Sequence, residues 1–283
     1  MHFDPARGVR LAILTPLLGP PANRPHTDGE SNLGYAPENR YHQTRRSLLA
    51  HLHIGILIYP RLDQIDFTGP FEVFSRIPDA TVHVLWKDTR PLSDYKGLIL
   101  TPETTMEQAP PLDVLQVPGG PGQESLMDDD KVLSFIRKQT ESGRTVFSVC
   151  TGALICGAAG ILRGRRATTH WTAFDLLPYF GAIPVDARVV VDGNLVSAAG
   201  VTAGIDGALR VAAMLRGDQV AQEIQLAMEY APEPPFYSGT PKTAAPDTVQ
   251  AVATQGFALK EARISTARRI AAKLGMGGSV TRP

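Results

Sequence analysis

The sequence predicts an α/β protein built on a mainly parallel sheet, and three observations carry that expectation. Short apolar runs without polar alternation recur, as at residues 53–59, Val114–Val117 and Thr145–Val149, which marks strands covered on both faces. Segments with helical period lie between them, residues 130–142 being the clearest. Turn residues close the runs, notably Pro118-Gly119-Gly120-Pro121-Gly122. Such alternation implies βαβ units, and in open parallel sheets sites gather at the carboxyl ends of the strands.

Each element follows from its residues in order. Residues 53–59 form the first strand, and 70–75 supply a short helix. A second strand covers 81–86, and 97–100 belongs to a hairpin or a sheet edge. The helix at 130–142 puts Val132, Phe135, Ile136 and Gln139 on one face. The β-branched run Thr145–Val149 reads as a buried strand, and 153–159 as the helix after it. Residues 166–170 read as a further strand and 171–180 as a helix. The runs 189–191 and 195–197 flank Asp192-Gly193-Asn194, a strong hairpin signal. Helices follow at 204–215 and 219–230. The prolines of Ala231-Pro232-Glu233-Pro234-Pro235 end the last core helix. Residues 247–274 can form one polar helix, with Asp247 as its N-cap and Gly275 as its stop.

Composition narrows the function classes. The chain has 283 residues, enough for one or two domains with a sizeable core. Lys+Arg and Asp+Glu balance at 28 each, which argues against nucleic acid or an acidic membrane surface as partner. The two cysteines, Cys150 and Cys156, share one strand–helix unit. They make neither a disulfide framework nor, alone, a metal site, and a reducing cytoplasmic setting fits them. No run approaches the roughly 20 apolar residues that span a bilayer. Near the N-terminus, basic residues precede Leu11-Ala12-Ile13-Leu14-Thr15-Pro16-Leu17-Leu18, but Pro16 interrupts the run and no small-x-small site follows. Residues 1–50 therefore read as a disordered leader, 51–236 as the catalytic domain, and 237–283 as a partly helical extension.

Cys150 is the residue most suggestive of chemistry. It stands where a buried strand turns into a helix, with Gly152 allowing a tight turn. A thiol there lies near a helix N-terminus, an environment that favours the nucleophilic thiolate. The alternative is a small buried hydrophobe, since free cysteine is among the most buried residue types. Asp66, Gly119-Gly120, Cys150 and His170 all fall at carboxyl ends of predicted strands, and this convergence favours the catalytic reading.

The other candidates each have a plainer alternative. Gly120 lies in a loop whose amide is free to approach a reacting atom, so Gly120 and Thr151 amides form a candidate oxyanion hole. Gly119 and Gly120 could equally be a tight turn. Asp66 could be desolvated, kept protonated and able to donate a proton, or it could cap the helix beginning near Pro70. The Thr151 hydroxyl could steer substrate or water, or be an ordinary first-turn threonine. His170 is a candidate general base, against the alternative of a structural strand-end histidine. Cys156 is core.

Residues 53–245 resemble the DJ-1/PfpI superfamily, and within it most the isonitrile (isocyanide) hydratase branch. The carrying segments are Asp63-Gln64-Ile65-Asp66-Phe67-Thr68-Gly69-Pro70, Pro118-Gly119-Gly120, Ser148-Val149-Cys150-Thr151-Gly152 and Arg165-Arg166-Ala167-Thr168-Thr169-His170-Trp171. Ala203-Gly204-Ile205-Asp206 and Glu229-Tyr230-Ala231-Pro232-Glu233-Pro234-Pro235-Phe236 complete them, the last being the most particular to the hydratase branch. The resemblance implies a flavodoxin-like sandwich of the class I glutamine amidotransferase-like kind, usually a homodimer. It implies a reaction without cofactor or metal, in which Cys150 attacks an isocyanide carbon and water releases an N-substituted formamide. Asp66 matches the acidic partner and Thr151 the cysteine-adjacent threonine. Protease-type members place histidine directly after the cysteine, so Thr151 disfavours peptidase activity. Three rivals stay open. One is a glyoxalase-like or amide-hydrolysing enzyme of the same fold. Another is a redox sensor acting through Cys150. The third is a ligand sensor related to AraC-type regulators, although fewer than about 50 residues remain after Phe236, too few for two helix-turn-helix units.

Overall fold

The structure, a computed structural model, describes residues 50–276. The leader proposed for residues 1–50 lies, apart from its last residue, outside the described residues. In chain order the elements begin with β1 (Leu52–Leu57), α1 (Gln64–Phe74), β2 (Ala80–Trp86), β3 (Leu92–Ser93), β4 (Ile99–Leu100) and β5 (Thr104–Thr105). There follow β6 (Val114–Val117), α2 (Gln123–Leu126), α3 (Asp130–Glu141), β7 (Thr145–Val149), α4 (Gly152–Ala158) and β8 (Arg166–Ala167). A 3₁₀ helix (Trp171–Phe180) leads to β9 (Ile183–Pro184), β10 (Val189–Asp192) and β11 (Leu195–Ala198). Four helices close the described chain: α5 (Ala203–Arg216), α6 (Asp218–Ala227), α7 (Pro246–Gln255) and α8 (Phe257–Lys273).

The central sheet has seven strands in the order β10-β11-β7-β6-β1-β2-β5. Every pairing in it is parallel except β10 with β11. That exception is the hairpin around Asp192-Gly193-Asn194, where Gly193 takes φ +58°. Strands β6 and β11 are buried at every residue, as expected where helices cover both faces. Helices α1 and α5 pack on each other, and α5 lies against β7 and β11. Phe147 of β7 meets Phe74 of α1 edge-on at 6.0 Å between ring centroids. Helices α3 and α4 pack against each other and β7, and α8 lies along the 3₁₀ helix. This is the flavodoxin-like α/β sandwich that the resemblance implies.

Four local expectations change. The first helix starts at Gln64 rather than near Pro70, because the Asp63 side chain accepts the Ile65 N–H (3.3 Å) and caps it. Asp66 is therefore a first-turn residue and not the cap. Pro70 sits inside this helix and cannot donate to the carbonyl four residues back. The Gln116 Nε2 donates to that Asp66 carbonyl instead, at 2.9 Å. The strand expected at 166–170 shrinks to β8, because Thr168 N–H goes to Ser197 Oγ (3.0 Å) and the Thr169 hydroxyl to the Cys150 carbonyl (2.7 Å). The helix at 171–180 is 3₁₀, with Pro178 inside it. The tail helix divides at Gly256, and its first half is capped at Ala245, with Asp247 in the first turn. Gly275, at φ +69°, follows the last turn as the stop.

Candidate active site at the carboxyl edge of the sheet

Cys150 follows β7 directly and adopts φ +55°. A non-glycine residue in the left-handed region is held there against an intrinsic cost of order 1–3 kcal/mol. Two hydrogen bonds hold the elbow: Cys150 N–H to the Ala198 carbonyl (3.0 Å) and the Thr169 hydroxyl to the Cys150 carbonyl (2.7 Å). Neighbouring glycines allow the chain to crowd in. A Cβ on Gly152 would lie 2.1 Å from the Val117 carbonyl oxygen, and one on Gly119 2.6 Å from the Thr151 nitrogen.

Asp66 is fully buried beside this elbow. Its Oδ2 accepts the Gly119 N–H at 2.9 Å, while Oδ1 has no hydrogen-bond partner among the described residues. Burial, reinforced by the nearby Asp63, pushes its pKa up to about 8. The Gly119 amide and the Cys150 thiol favour the ionised form and pull it back only in part. At neutral pH the carboxyl keeps its proton, as the desolvation argument anticipated.

The thiol behaves differently from expectation. Burial, followed by the charge of Asp66, pushes Cys150 well above its ordinary value. The Thr151 amide and Arg263 pull in the other direction. With Cys150 only 6% exposed, desolvation outweighs the short helix α4, so the elbow alone does not make a thiolate. A neutral Asp66 removes the repulsive charge that opposes ionisation of the thiol.

The Gly120 amide also departs from expectation. It is not free: it donates to Thr151 Oγ1 at 3.1 Å. The Thr151 hydroxyl is correspondingly drawn away from capping α4, which has no side-chain cap. Thr151 N–H faces the Cys150 sulfur. An oxyanion hole made of both amides would require the Thr151 hydroxyl to move. Gly120 itself is needed for its backbone, with φ +123° and a Cβ position 2.2 Å from the Asp63 nitrogen.

His170 is brought to the same edge but not to the sulfur. Its Nδ1 is bound to the Thr172 hydroxyl (2.8 Å) and caps the 3₁₀ helix. Burial and then Arg263 lower its pKa to about 4, so it is neutral at physiological pH. Among the described residues it makes no hydrogen bond with Cys150. A cavity of about 640 Å³ lies beyond, lined by Thr169, His170, Trp171, Phe174, Arg188 and Lys242 among others. Thr169 of its wall bonds the Cys150 carbonyl.

Sequence reasoning missed three members of this site. Tyr59, wholly buried, donates to the Pro118 carbonyl at 2.8 Å. Gln116 supports Asp66 from β6. Arg263 arrives from α8, far along the chain. Its signal was present but faint: Arg263 is in helical register with Ala267, Ile270 and Ala271, the buried stripe of α8.

Comparison with known proteins places the fold in a lineage. The family model described as the DJ-1/PfpI family matches residues 53–214. The chain belongs to the DJ-1/PfpI family. An isonitrile hydratase of Pseudomonas putida is 50% identical over 225 residues, which is 80% of this chain and 99% of that protein. Protein DJ-1alpha of Drosophila melanogaster is 27% identical over 63% of this chain and 84% of its own length. The crystal structure of a THiJ/PfpI family protein from Pseudomonas syringae superposes with a TM-score of 0.77 at 35% identity. That match covers 82% of this chain and 97% of the other. The alignment with the Pseudomonas putida protein reaches beyond the part that the family model matches, so similarity extends past residue 214.

Proposed function

We propose that this protein is a hydro-lyase that hydrates isocyanides to N-substituted formamides, with Cys150 as nucleophile and Asp66 as proton carrier. The observation that carries this reading is the Asp66 carboxyl buried beside the Cys150 elbow, with no histidine bonded to the sulfur among the described residues. Half-identity to an isonitrile hydratase along nearly all of that enzyme supports it.

The chemistry balances with these two groups and one water. In the reactive form the pair shares one proton, on Asp66, and the sulfur is ionised. The thiolate attacks the terminal carbon of R–N≡C, forming the C–S bond, while Asp66 gives its proton to that carbon. The product of this step is a thioimidate, R–N=CH–S, and an ionised Asp66. Water then adds across the C=N bond, its hydroxyl to carbon and a proton to nitrogen, with Asp66 relaying the proton. The C–S bond breaks, the thiolate leaves, and the hydroxyl proton returns to Asp66 as R–NH–CHO departs. No leaving group other than Cys150 needs an acid, so His170 can stay neutral and structural. Thr151 and the Gly119-Gly120 turn hold the partners in register.

The working unit in this reading is a homodimer acting in the cytoplasm, without metal or cofactor. No helix among the described residues is long and apolar enough to cross a membrane. Light scattering on the purified protein tests the dimer. The central test is turnover of a small alkyl or aryl isocyanide, read as formamide. Wild type should turn over, and Cys150→Ala should fall to background. Full activity in Cys150→Ala would refute the mechanism, and turnover of methylglyoxal in preference to isocyanide would favour the glyoxalase-type alternative.

A further inference from the structure

The last described helix carries a cation into the carboxyl edge. Arg263 opens the buried stripe of α8 and is only 7% exposed. Its Nε donates to Gln123 Oε1 at 2.8 Å. Its Nη2 donates to the Gly120 carbonyl at 3.2 Å and lies 3.5 Å from Thr151 Oγ1. All three acceptors are neutral oxygens. Among the described residues the one carboxylate in its field is Glu124, which already accepts the Thr266 hydroxyl at 2.6 Å. A guanidinium out of water without an ionised partner is costly, and such a charge persists where an anion forms close by.

We propose that Arg263 is the counter-ion of the ionised Cys150 sulfur, a positioning residue held beside the elbow by its bonds to Gln123, Gly120 and Thr151. Two of the residues it touches flank the nucleophile: Gly120 by its carbonyl, Thr151 by its hydroxyl. Three contacts fix the planar fork, a geometry that a lysine would not reproduce. The groups that face Cys150 are few. Asp66 and Asp63 come from α1 and its cap, the Thr151 amide from the elbow, Tyr59 from beyond β1, Tyr95 from beyond β3, and Arg263 from α8. Among the described residues Arg263 is the one cation of this group, and its charge opposes the desolvation that holds the thiol neutral. After burial, it is the second cause that opposes protonation of His170, so the imidazole adds no further positive charge beside the elbow.

This inference rests on Cys150 being the nucleophile, not on the identity of the electrophile, so its test needs no isocyanide. The rate of Cys150 alkylation by iodoacetamide is followed across pH, with peptide mass mapping to separate Cys150 from Cys156. Arg263→Gln should move the midpoint upward by about one pH unit or more and slow alkylation at pH 7 about tenfold. Arg263→Lys should recover most of the midpoint while leaving formamide production low in kcat with little change in KM. Should Arg263→Gln fail to fold, Gln123→Leu removes the Nε acceptor and should move the midpoint in the same direction by a smaller amount. A folded Arg263→Gln with the wild-type midpoint overturns the proposal, as does an unmoved Gln123→Leu where that variant decides. A shifted midpoint in a protein that hydrates no isocyanide would leave the counter-ion in place and refute the substrate reading alone.

Discussion

The two ends of the parallel sheet treat charge in opposite ways. Toward the amino ends, polar groups meet partners in pairs and keep some contact with water. Arg144 bonds Asp113 at 2.6 Å, and the other Asp113 oxygen accepts the His53 N–H at 2.9 Å. His53 and His83 face each other at 3.0 Å, and Glu103 lies 3.3 Å from the far nitrogen of His83. At the carboxyl ends the polar groups are buried and incompletely matched. Among the described residues, the buried side-chain atoms lacking any partner are Asp66 Oδ1, Gln116 Oε1, Gln123 Nε2 and Ser148 Oγ. Asp66 belongs to the pair, Gln116 holds Asp66, Gln123 holds Arg263, and Ser148 precedes the elbow by two residues. Buried polar groups are ordinarily satisfied, and these exceptions cluster at the edge that carries the candidate site.

Substitutions at the two ends should separate on that basis. Asp66→Asn should give the largest contrast after Cys150→Ala. Losing the transferable proton should lower formamide production about 100-fold or more, measured as kcat, with the protein still folded. The same variant tests the carboxyl's proton through stability. Asp66 is neutral in the folded protein to about pH 8 and ionises near pH 4 when unfolded. Its contribution is therefore fully present below about pH 4 and lost as pH rises through about 8. Wild-type denaturation midpoints should fall over that range more steeply than those of Asp66→Asn. Equal slopes would show that the carboxyl is already ionised.

Gly120→Ala should come next, and it acts on the fold. Its φ of +123° and a Cβ position 2.2 Å from the Asp63 nitrogen leave no room without moving the cap of α1. A loss of about 1–3 kcal/mol or more is expected from chemical denaturation. Asp113→Ala at the amino end should be the smallest. Its ion pair with Arg144 is partly exposed, such pairs contribute about 1 kcal/mol or less, and kcat should not change. A large loss of activity there would remove the division between the ends.

How far the site was legible depended on whether its signal was local. Cys150, Thr151, Asp66 and the Gly119-Gly120 turn could be read because strand–turn–helix punctuation places them and the topology brings strand ends together. The boundary of α1 was misread because Pro70 suggests a start, whereas Asp63 supplies the cap and Gln116 repairs the bond that the proline loses. The Gly120 amide looked available because a glycine loop says nothing of which hydroxyl will face it. Arg263 looked like one charge among many on a polar helix, since only packing distinguishes a buried stripe from a solvated face.

The sequence by itself determined the α/β alternation, the parallel sheet, the elbow at Cys150 and the family, because each is written in apolar period or in a contiguous motif. Only the tertiary structure decided the charge state of the site. Desolvation and distance set ionisation, and both depend on residues far apart in the chain. Burial raises Asp66 and Cys150 together, and α8 returns across more than a hundred residues to place Arg263 against Gly120 and Thr151.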